Sequence, residues 1–182
     1  EFPVYFFDDY TEKMTAYTDK WKELGLSFDA VATGFLGSEA QIEIVMDMIR
    51  KLESEETFVV VDPVMGDHGH AYETYTPEMC EQMKELVCMA DIVLPNVTEC
   101  CILTDTPYKK ENWTRRELLN MAMMLRLMGA KSVVITGVRE GSYYTNVVLE
   151  RGQMEAKFIR TRSSGGERPG TGDVFSSVVA GG

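Results

Sequence analysis

The chain has 182 residues, a formal net charge of −11 and 45% hydrophobic residues. This length and apolar content are typical of one folded domain, and they exclude a chain that is disordered over most of its length. No apolar run approaches the roughly 18 residues that a membrane span needs. The negative charge disfavours general nucleic-acid binding, although a local anion site stays compatible with it. We therefore expect one domain over residues 1–182, with neither a nucleic acid nor a membrane as its partner.

The four cysteines, at positions 80, 88, 100 and 101, form no Cys-x-x-Cys pair. Cys88 falls in an apolar stretch with helical spacing. This pattern indicates buried free thiols in a reducing compartment. The first residues lack the basic and apolar regions of a signal peptide, which favours a cytoplasmic location.

Strand-like and helical segments alternate along the chain. Four strands are predicted in the first three quarters of the chain, over Phe28–Thr33, Thr57–Val61, Asp91–Leu94 and Ser132–Thr136, the last of which Gly137 ends. Three helices alternate with them, over Ser38–Leu52, Thr76–Met89 and Trp113–Met128. A hairpin of Ser142–Leu149 with Met154–Ile159, a Gly/Ser-rich loop over Arg162–Pro169 and a last helix over Gly170–Ala180 follow. The alternation is typical of an α/β fold with a mostly parallel sheet, to which the hairpin adds an antiparallel edge.

The segment Gly170-Thr171-Gly172-Asp173 begins the last predicted helix. Two glycines allow a tight turn that presents backbone N–H groups, and the positive end of the helix dipole lies at the same point. Such a segment binds a phosphate, beside which Asp173 has the chemistry to deprotonate an attacking hydroxyl. The alternative is an aspartate that caps a helix after a glycine turn, and spacing alone favours this capping interpretation.

Polar residues follow several predicted strands, where ligands bind in open parallel sheets. Asp62 and Asp67 flank a Pro/Gly turn after one strand and suit a hydrated Mg²⁺ near phosphates, although both also suit backbone capping in a turn. Asn96 and Glu99 follow the next strand, and their spacing equally matches a capping-box variant. Thr136 closes a third strand.

His68 and His70, the two histidines of the chain, lie in the polar segment Gly66–Tyr75. Two histidines at this spacing without a nearby cysteine make a poor zinc site, so a mobile polar loop is favoured. Its glycines and Tyr72 suit a lid that closes over a ligand.

Together these segments resemble the ribokinase-like superfamily, and in particular its vitamin B6 kinase branch. The resemblance spans residues 21–182 and depends on Gly34-Phe35-Leu36-Gly37-Ser38, Asp62-Pro63-Val64-Met65-Gly66-Asp67, Pro95-Asn96-Val97-Thr98-Glu99, Val134-Ile135-Thr136-Gly137 and Gly170-Thr171-Gly172-Asp173. It implies a ribokinase-like fold, a mostly parallel central sheet flanked by helices with an antiparallel edge hairpin. The first strand-and-helix unit of the family and the helices after the last motif have no match here, so we expect part of a longer kinase.

The resemblance implies ATP-dependent phosphorylation of the 5′-hydroxyl of pyridoxal, pyridoxamine or pyridoxine by a homodimer. ATP and Mg²⁺ are the implied cofactors, and a requirement for a monovalent cation is left open. Asp173 is the implied catalytic base, which also contacts the substrate. Gly170, Thr171 and Gly172 are the implied anion hole for the γ-phosphate.

Further roles follow from the same resemblance. Asp62 and Glu99 are implied to organise Mg²⁺ and phosphates, supported by Asp67 at the metal and Asn96 at the nucleotide, and Thr136 is implied to contact ATP.

On the substrate side, Phe35 stands where the family often has an aromatic residue that stacks on the pyridine ring, and His68 and Tyr72 fall in the active-site lid. Two alternatives stay open, namely a hydroxymethylpyrimidine kinase of the same superfamily and a non-catalytic module that binds a nucleotide or a B6 vitamer.

Overall fold

The computed structural model describes residues 8–52, 54, 56–165 and 170–182. Its elements in chain order are α1 (Thr11–Glu23), β1 (Ala30–Thr33), α2 (Glu39–Leu52), β2 (Phe58–Val61), β3 (Gly66–Asp67), β4 (His70–Ala71), α3 (Pro77–Cys88), β5 (Ile92–Val93), α4 (Val97–Leu103), α5 (Arg115–Met128), β6 (Ser132–Glu140), β7 (Tyr143–Leu149), β8 (Lys157–Arg162) and α6 (Thr171–Gly181). Within this described part, no helix is long and apolar enough to cross a membrane.

The main sheet has six strands in the order β1-β2-β5-β6-β7-β8. The pairs β1/β2, β2/β5 and β5/β6 are parallel, and β7 and β8 extend the sheet as antiparallel strands. The predicted fold class, a mostly parallel sheet with an antiparallel edge hairpin, is therefore confirmed. Strands β3 and β4 pair with each other in a separate two-stranded antiparallel sheet.

One face of the sheet carries the main core. Val59 and Val61 share this face, because alternate residues of a strand point to the same side. They belong to a buried apolar cluster with residues of α2, α3, α4 and α5, among them Ile42, Met83 and Leu125. The apolar residues that recur at helical spacing along α2, α3 and α5 thus belong to the core.

On the opposite face of the sheet, α6 packs against β1 and β2. Val60 of β2 lies in a smaller apolar cluster with Phe175 and Val179 of α6. This packing sets the start of α6 against the parallel strands, which decides where its polar first turn lies.

Three features differ from the sequence prediction. Helix α1 was not predicted, because its apolar side chains Met14, Tyr17 and Trp21 lie among many polar residues and only Thr18 is buried. Strand β6 does not end at Gly137, since a register shift between Ile135 and Val138 lets the strand continue to Glu140. The segment predicted as a loop forms the hairpin β3–β4.

Smaller corrections concern the end of the chain and the cysteines. Strand β8 begins at Lys157, three residues after the predicted start. Residues 166–169 of the predicted Gly/Ser-rich loop lie outside the described residues. All four cysteines are free, as expected, and two are buried, but Cys88 is exposed and Cys80 half-buried, which contradicts the prediction that all four are buried.

Candidate active site

The carboxyl ends of the parallel strands bring the candidate residues to one edge of the sheet. Asp62 directly follows β2, and its backbone N–H donates to the carbonyl oxygen of Thr33 at the end of β1. Asn96 follows β5 and forms a parallel bridge with Thr136 of β6. The predicted convergence of Asp62, Asn96 and Thr136 therefore holds at the level of the backbone.

Asp62 is a buried carboxylate, with 8% of its surface exposed. The pKa of Asp62 is raised to about 6, mainly by burial and also by the charge of Asp173, while a hydrogen bond from the Ser176 side chain lowers it in part. Asp62 and Asp173, which are 111 positions apart in the sequence, thus lie close enough in the fold to interact electrostatically.

Asp173 occupies the third position of α6 and is exposed to solvent. Gly170 is the N-cap residue in a left-handed conformation, with φ of 81°, and the cap forms no side-chain hydrogen bond. The capping interpretation of Asp173 is therefore wrong. The N–H groups of Gly172 and Asp173 in the first turn have no acceptor within the helix, which leaves them available to an anion.

The capping interpretation is correct for Asn96 and Glu99. Glu99 Oε2 accepts from the backbone N–H of Asn96 at 2.7 Å, and Asn96 Oδ1 accepts from the N–H of Glu99 at 3.0 Å. Both side chains also hold the next loop: Glu99 Oε1 accepts from the N–H of Met65 at 3.2 Å, and Asn96 Nδ2 donates to the carbonyl of Gly66 at 2.9 Å.

Glu99 is 3% exposed, and its pKa is raised to about 8, mainly by burial and also by the charge of Asp62. Backbone N–H groups that donate to its carboxylate lower the pKa in part. Because both carboxylate oxygens already accept hydrogen bonds from the backbone, the arrangement favours support of the loop that follows Asp62 over direct ligation of a metal.

Asp67 does not join the other carboxylates. Its Oδ1 accepts from the N–H of His68 at 2.7 Å, and its Oδ2 lies 3.6 Å from His68 Nε2. Among the described residues, no group of three or more His, Cys, Asp or Glu side chains is placed to hold a metal ion. The predicted metal set of Asp62, Asp67 and Glu99 is thus dispersed.

Asp62 is the carboxylate of this set that best fits Mg²⁺. It is buried beside a second negative charge, that of Asp173, and a divalent cation nearby would relieve the repulsion that raises its pKa. Mg²⁺ keeps several water ligands and needs one or two carboxylates together with substrate phosphates. Its burial and its charged neighbour therefore make Asp62 the residue of this set that would hold a hydrated ion.

The segment predicted as a mobile lid contains the hairpin β3–β4. His68 lies at its turn with φ of 52°, and both histidines are exposed. Tyr72 follows β4, and its backbone N–H donates to the carbonyl of Met65 at 2.9 Å, which closes the base of the hairpin.

Phe35 lies in the glycine turn between β1 and α2 and is 46% exposed. Its ring meets the ring of Tyr75 edge to face, with the centroids 6.2 Å apart. The glycine turn and the end of the segment predicted as a lid are therefore in contact, and Phe35 remains accessible to solvent.

Sequence reasoning missed Ser176 and Asn146. Ser176 lies one turn after Asp173, a spacing that places the two on one helix face. Asn146 Oδ1 accepts from the N–H of Gly137 at 3.1 Å, so it supports the irregular stretch of β6 beside Thr136. No local signal marks Asn146, because its partner lies on the neighbouring strand.

The fold and site define an α/β protein with a helix start suited to anions and two interacting carboxylates at the carboxyl edge of its sheet. A family model described as phosphomethylpyrimidine kinase matches residues 21–182. The pyridoxal kinase of Sus scrofa is 33% identical over 179 residues, which cover 84% of this chain and 51% of that protein.

Solved structures agree. A Bacteroides thetaiotaomicron protein crystallised with pyridoxal has a TM-score of 0.92 and 36% identity, and the match covers 99% of this chain and 64% of that one. Pyridoxal kinase from Lactobacillus plantarum has a TM-score of 0.86 and 27% identity, covering 100% of this chain and 64% of that one.

This chain belongs to the phosphomethylpyrimidine kinase family, and its resemblance to the pyridoxal kinases of the ribokinase-like superfamily is confirmed. It spans about half the length of the curated relatives that it matches.

Proposed function

We propose that the protein containing this chain transfers the γ-phosphate of ATP to the 5′-hydroxyl of pyridoxal, pyridoxamine or pyridoxine. The observation that carries the proposal is the approach of Asp173, at the start of α6, to Asp62, at the end of β2. Relatives that are pyridoxal kinases, together with the pyridoxal in the Bacteroides crystal, support the choice of acceptor.

In this proposal Asp173 acts as the general base. Its exposed carboxylate accepts the proton of the 5′-hydroxyl while the hydroxyl oxygen forms a bond to the γ-phosphorus. The bond between that phosphorus and the β–γ bridging oxygen breaks, and ADP leaves with the electron pair. N–H groups of Gly172 and Asp173, together with Gly170 and Thr171, hold the phosphoryl oxygens as charge accumulates on them.

Asp62 is the proposed ligand that holds Mg²⁺ beside the phosphates, directly or through water. The ion supplies positive charge that offsets the charge of the phosphates. Glu99 and Asn96 hold the backbone of Met65 and Gly66, and so position the loop after Asp62. This assigns Glu99 a supporting role, and Asp67 a role on the hairpin.

The remaining assignments concern the two ligands. Thr136 lies within β6, paired with Asn96 at the edge where a nucleotide would bind, and Phe35 presents an exposed ring to the pyridine of the acceptor. His68 and Tyr72 belong to the hairpin that closes over the phosphates. The homodimer, the single domain over residues 1–182 and the cytoplasmic location stay predictions.

The test is a parallel incubation of the complete protein with Mg-ATP and one acceptor at a time: pyridoxal, pyridoxamine, pyridoxine or hydroxymethylpyrimidine. Mass spectrometry follows each product. We expect an increase of one phosphoryl group on at least one B6 vitamer. Product from hydroxymethylpyrimidine alone would replace the proposed acceptor, and ligand binding without any product would leave a non-catalytic binding module.

The second candidate, a hydroxymethylpyrimidine kinase, is favoured by the description of the matching family model. The nucleotide side of the two reactions is the same, so the acceptor decides between them. Comparison of kcat/KM for pyridoxal and hydroxymethylpyrimidine on one protein preparation makes that decision.

A further inference from the structure

The hairpin β3–β4 is covered at its turn by an aromatic side chain from a distant segment. Gly69 lies at that turn with φ of 86°, and a Cβ atom built on it would lie 2.4 Å from Cδ1 and 2.7 Å from Cε1 of Tyr108. The ring of Tyr108 therefore lies directly on the backbone of Gly69. Both the backbone conformation and the lack of space require glycine at this position.

A hydrogen bond to α4 also holds the same glycine. The N–H of Gly69 donates to Oγ1 of Thr98 at 2.9 Å, and Thr98, in the first turn of α4, is 3% exposed. The neighbouring Glu99 and Asn96 hold Met65 and Gly66 at the base of the hairpin. Helix α4 and its N-cap residue thus contact both the base and the turn of the hairpin, and the ring of Tyr108 also packs on the turn.

Tyr108 itself is braced. Its ring centroid lies 6.4 Å from that of Trp113 in an edge-to-face arrangement. Trp113 Nε1 donates to the carbonyl of Lys109 at 2.8 Å, and the Lys109 ammonium lies 4.9 Å from the Trp113 ring and pairs with Glu117 of α5. The segment between α4 and α5 is therefore an ordered support and not a free loop.

The tyrosine hydroxyl also lies within the electrostatic reach of the hairpin. Burial raises the pKa of Tyr108, and the charge of Asp67 on β3 adds to this shift. Because a neutral phenol is the form present at physiological pH in either case, the contact is one of packing and not of charge pairing.

We propose that Tyr108 is a positioning residue of the phosphoryl-transfer site, whose ring holds the turn of the β3–β4 hairpin against α4 so that the hairpin meets bound nucleotide in an ordered conformation. This inference rests on the proposed kinase function. Without the ring, the hairpin retains its bond to Thr98 but samples open conformations, and nucleotide binding must then order it. The expected consequence is a higher KM for ATP with kcat at saturating ATP nearly unchanged.

The first experiment measures hydrogen–deuterium exchange of residues 66–71 without nucleotide in the complete protein, Tyr108→Ala and Tyr108→Phe. We expect exchange at least about fivefold faster in Tyr108→Ala, since local opening becomes easier, and normal exchange in Tyr108→Phe, which keeps the ring. Tyr17→Ala is the matched control, because Tyr17 also pairs with a tryptophan, Trp21, but lies on α1. Unchanged exchange in Tyr108→Ala would overturn the proposal.

The second experiment tests the contact itself. Gly69→Ala should raise the KM for ATP more in the presence of the Tyr108 ring than in the Tyr108→Ala background, because the ring supplies the steric clash while the φ strain remains in both. Strictly multiplicative effects of the two substitutions on KM would contradict the contact. A protein without kinase activity would refute the proposed function, and the exchange experiment would still decide on the role of Tyr108.

Discussion

The face of the sheet under α2–α5 and the carboxyl edge of the same sheet are both buried, but they bury opposite kinds of side chain. The covered face contains residues such as Ile42, Met83 and Leu125, which have no exposed surface. The edge buries Asp62 and Glu99, whose pKa values are raised because their charges lack full solvation. Apolar burial stabilises the fold, whereas a buried carboxylate with a raised pKa weakens it at neutral pH.

Because of this difference, substitutions in the two regions should change different measured quantities. Damage to the covered face should appear as lost stability. Damage to the edge should appear as lost activity, and at some positions as gained stability. The following substitutions separate the two outcomes, beginning with the largest expected effect.

Asp173→Asn should have the largest effect, and on activity alone. The amide cannot accept the proton of the attacking hydroxyl, so we expect kcat to fall by about 10²–10⁴-fold. Because Asp173 is exposed, the melting temperature should stay within about 1 °C. Steady-state kinetics and calorimetry check this, with the exposed Asp47→Asn on α2 as the control. A variant with full activity would remove Asp173 from the reaction.

Leu125→Ala should have the largest effect on stability. Leu125 has no exposed surface, and removal of a buried leucine side chain costs about 2–5 kcal/mol. Leu127, two positions further along α5, is 87% exposed, so Leu127→Ala should change the free energy of unfolding by less than about 0.5 kcal/mol. Chemical denaturation measures both. Equal effects of the two substitutions would mean that α5 does not present the described face to the core.

Asp62→Asn should lower activity and raise stability above neutral pH. The pKa of Asp62 is raised from 3.8 to about 6, so the folded state binds this proton more tightly than the unfolded state. Stability is therefore full below pH 3.8, falls as the pH rises through about 6, and stays reduced above that value. The asparagine variant lacks this loss, on the order of 3 kcal/mol.

Denaturation at pH 4 and pH 8 tests this prediction. The variant should exceed the parent protein in stability at pH 8 and lose that advantage at pH 4. A variant that is less stable at pH 8 would mean that the Asp62 carboxylate stabilises the fold, in contradiction to the described edge.

The two capping boxes give the smallest effects. Asn96 caps α4 at the edge, and Thr114 caps α5 away from it. Replacement of either cap by alanine should cost about 1 kcal/mol of stability. Asn96→Ala should also raise the KM for ATP, because the amide that holds Gly66 is lost. Thr114→Ala should leave both the KM for ATP and kcat unchanged. Identical kinetics of the two variants would separate Asn96 from the site.

The covered face was well predicted from the sequence. Helices α2, α3 and α5 lie within two residues of their predicted bounds, since the period of their apolar residues records which side is buried. Helix α1 was not predicted in this way, because most of its residues are polar and the residue that it buries is a threonine. Strand β6 passes Gly137 because the bulge at that point depends on the pairing with β7, which is not a local property.

The edge was predicted less completely. Sequence order placed Asp62, Asn96 and Thr136 at strand ends, and the resemblance to B6 kinases supplied their roles. Neither indicated that Glu99 accepts hydrogen bonds from backbone N–H groups, or that Asp67 contacts His68 at the hairpin turn. The contact between Gly69 and Tyr108 has no local sequence signature, because the two residues are far apart in the sequence and meet only in the folded chain.

The most direct test of this account is the titration of Asp62, followed by ¹³C NMR of its carboxyl carbon in the protein and in Asp173→Asn. A midpoint near pH 6 in the protein, and a lower midpoint in the variant, is the predicted result, since burial and the charge of Asp173 both raise the pKa. Equal midpoints in the two proteins would contradict the claim that the carboxyl edge brings these two carboxylates together, and midpoints near 3.8 would also contradict the burial of Asp62.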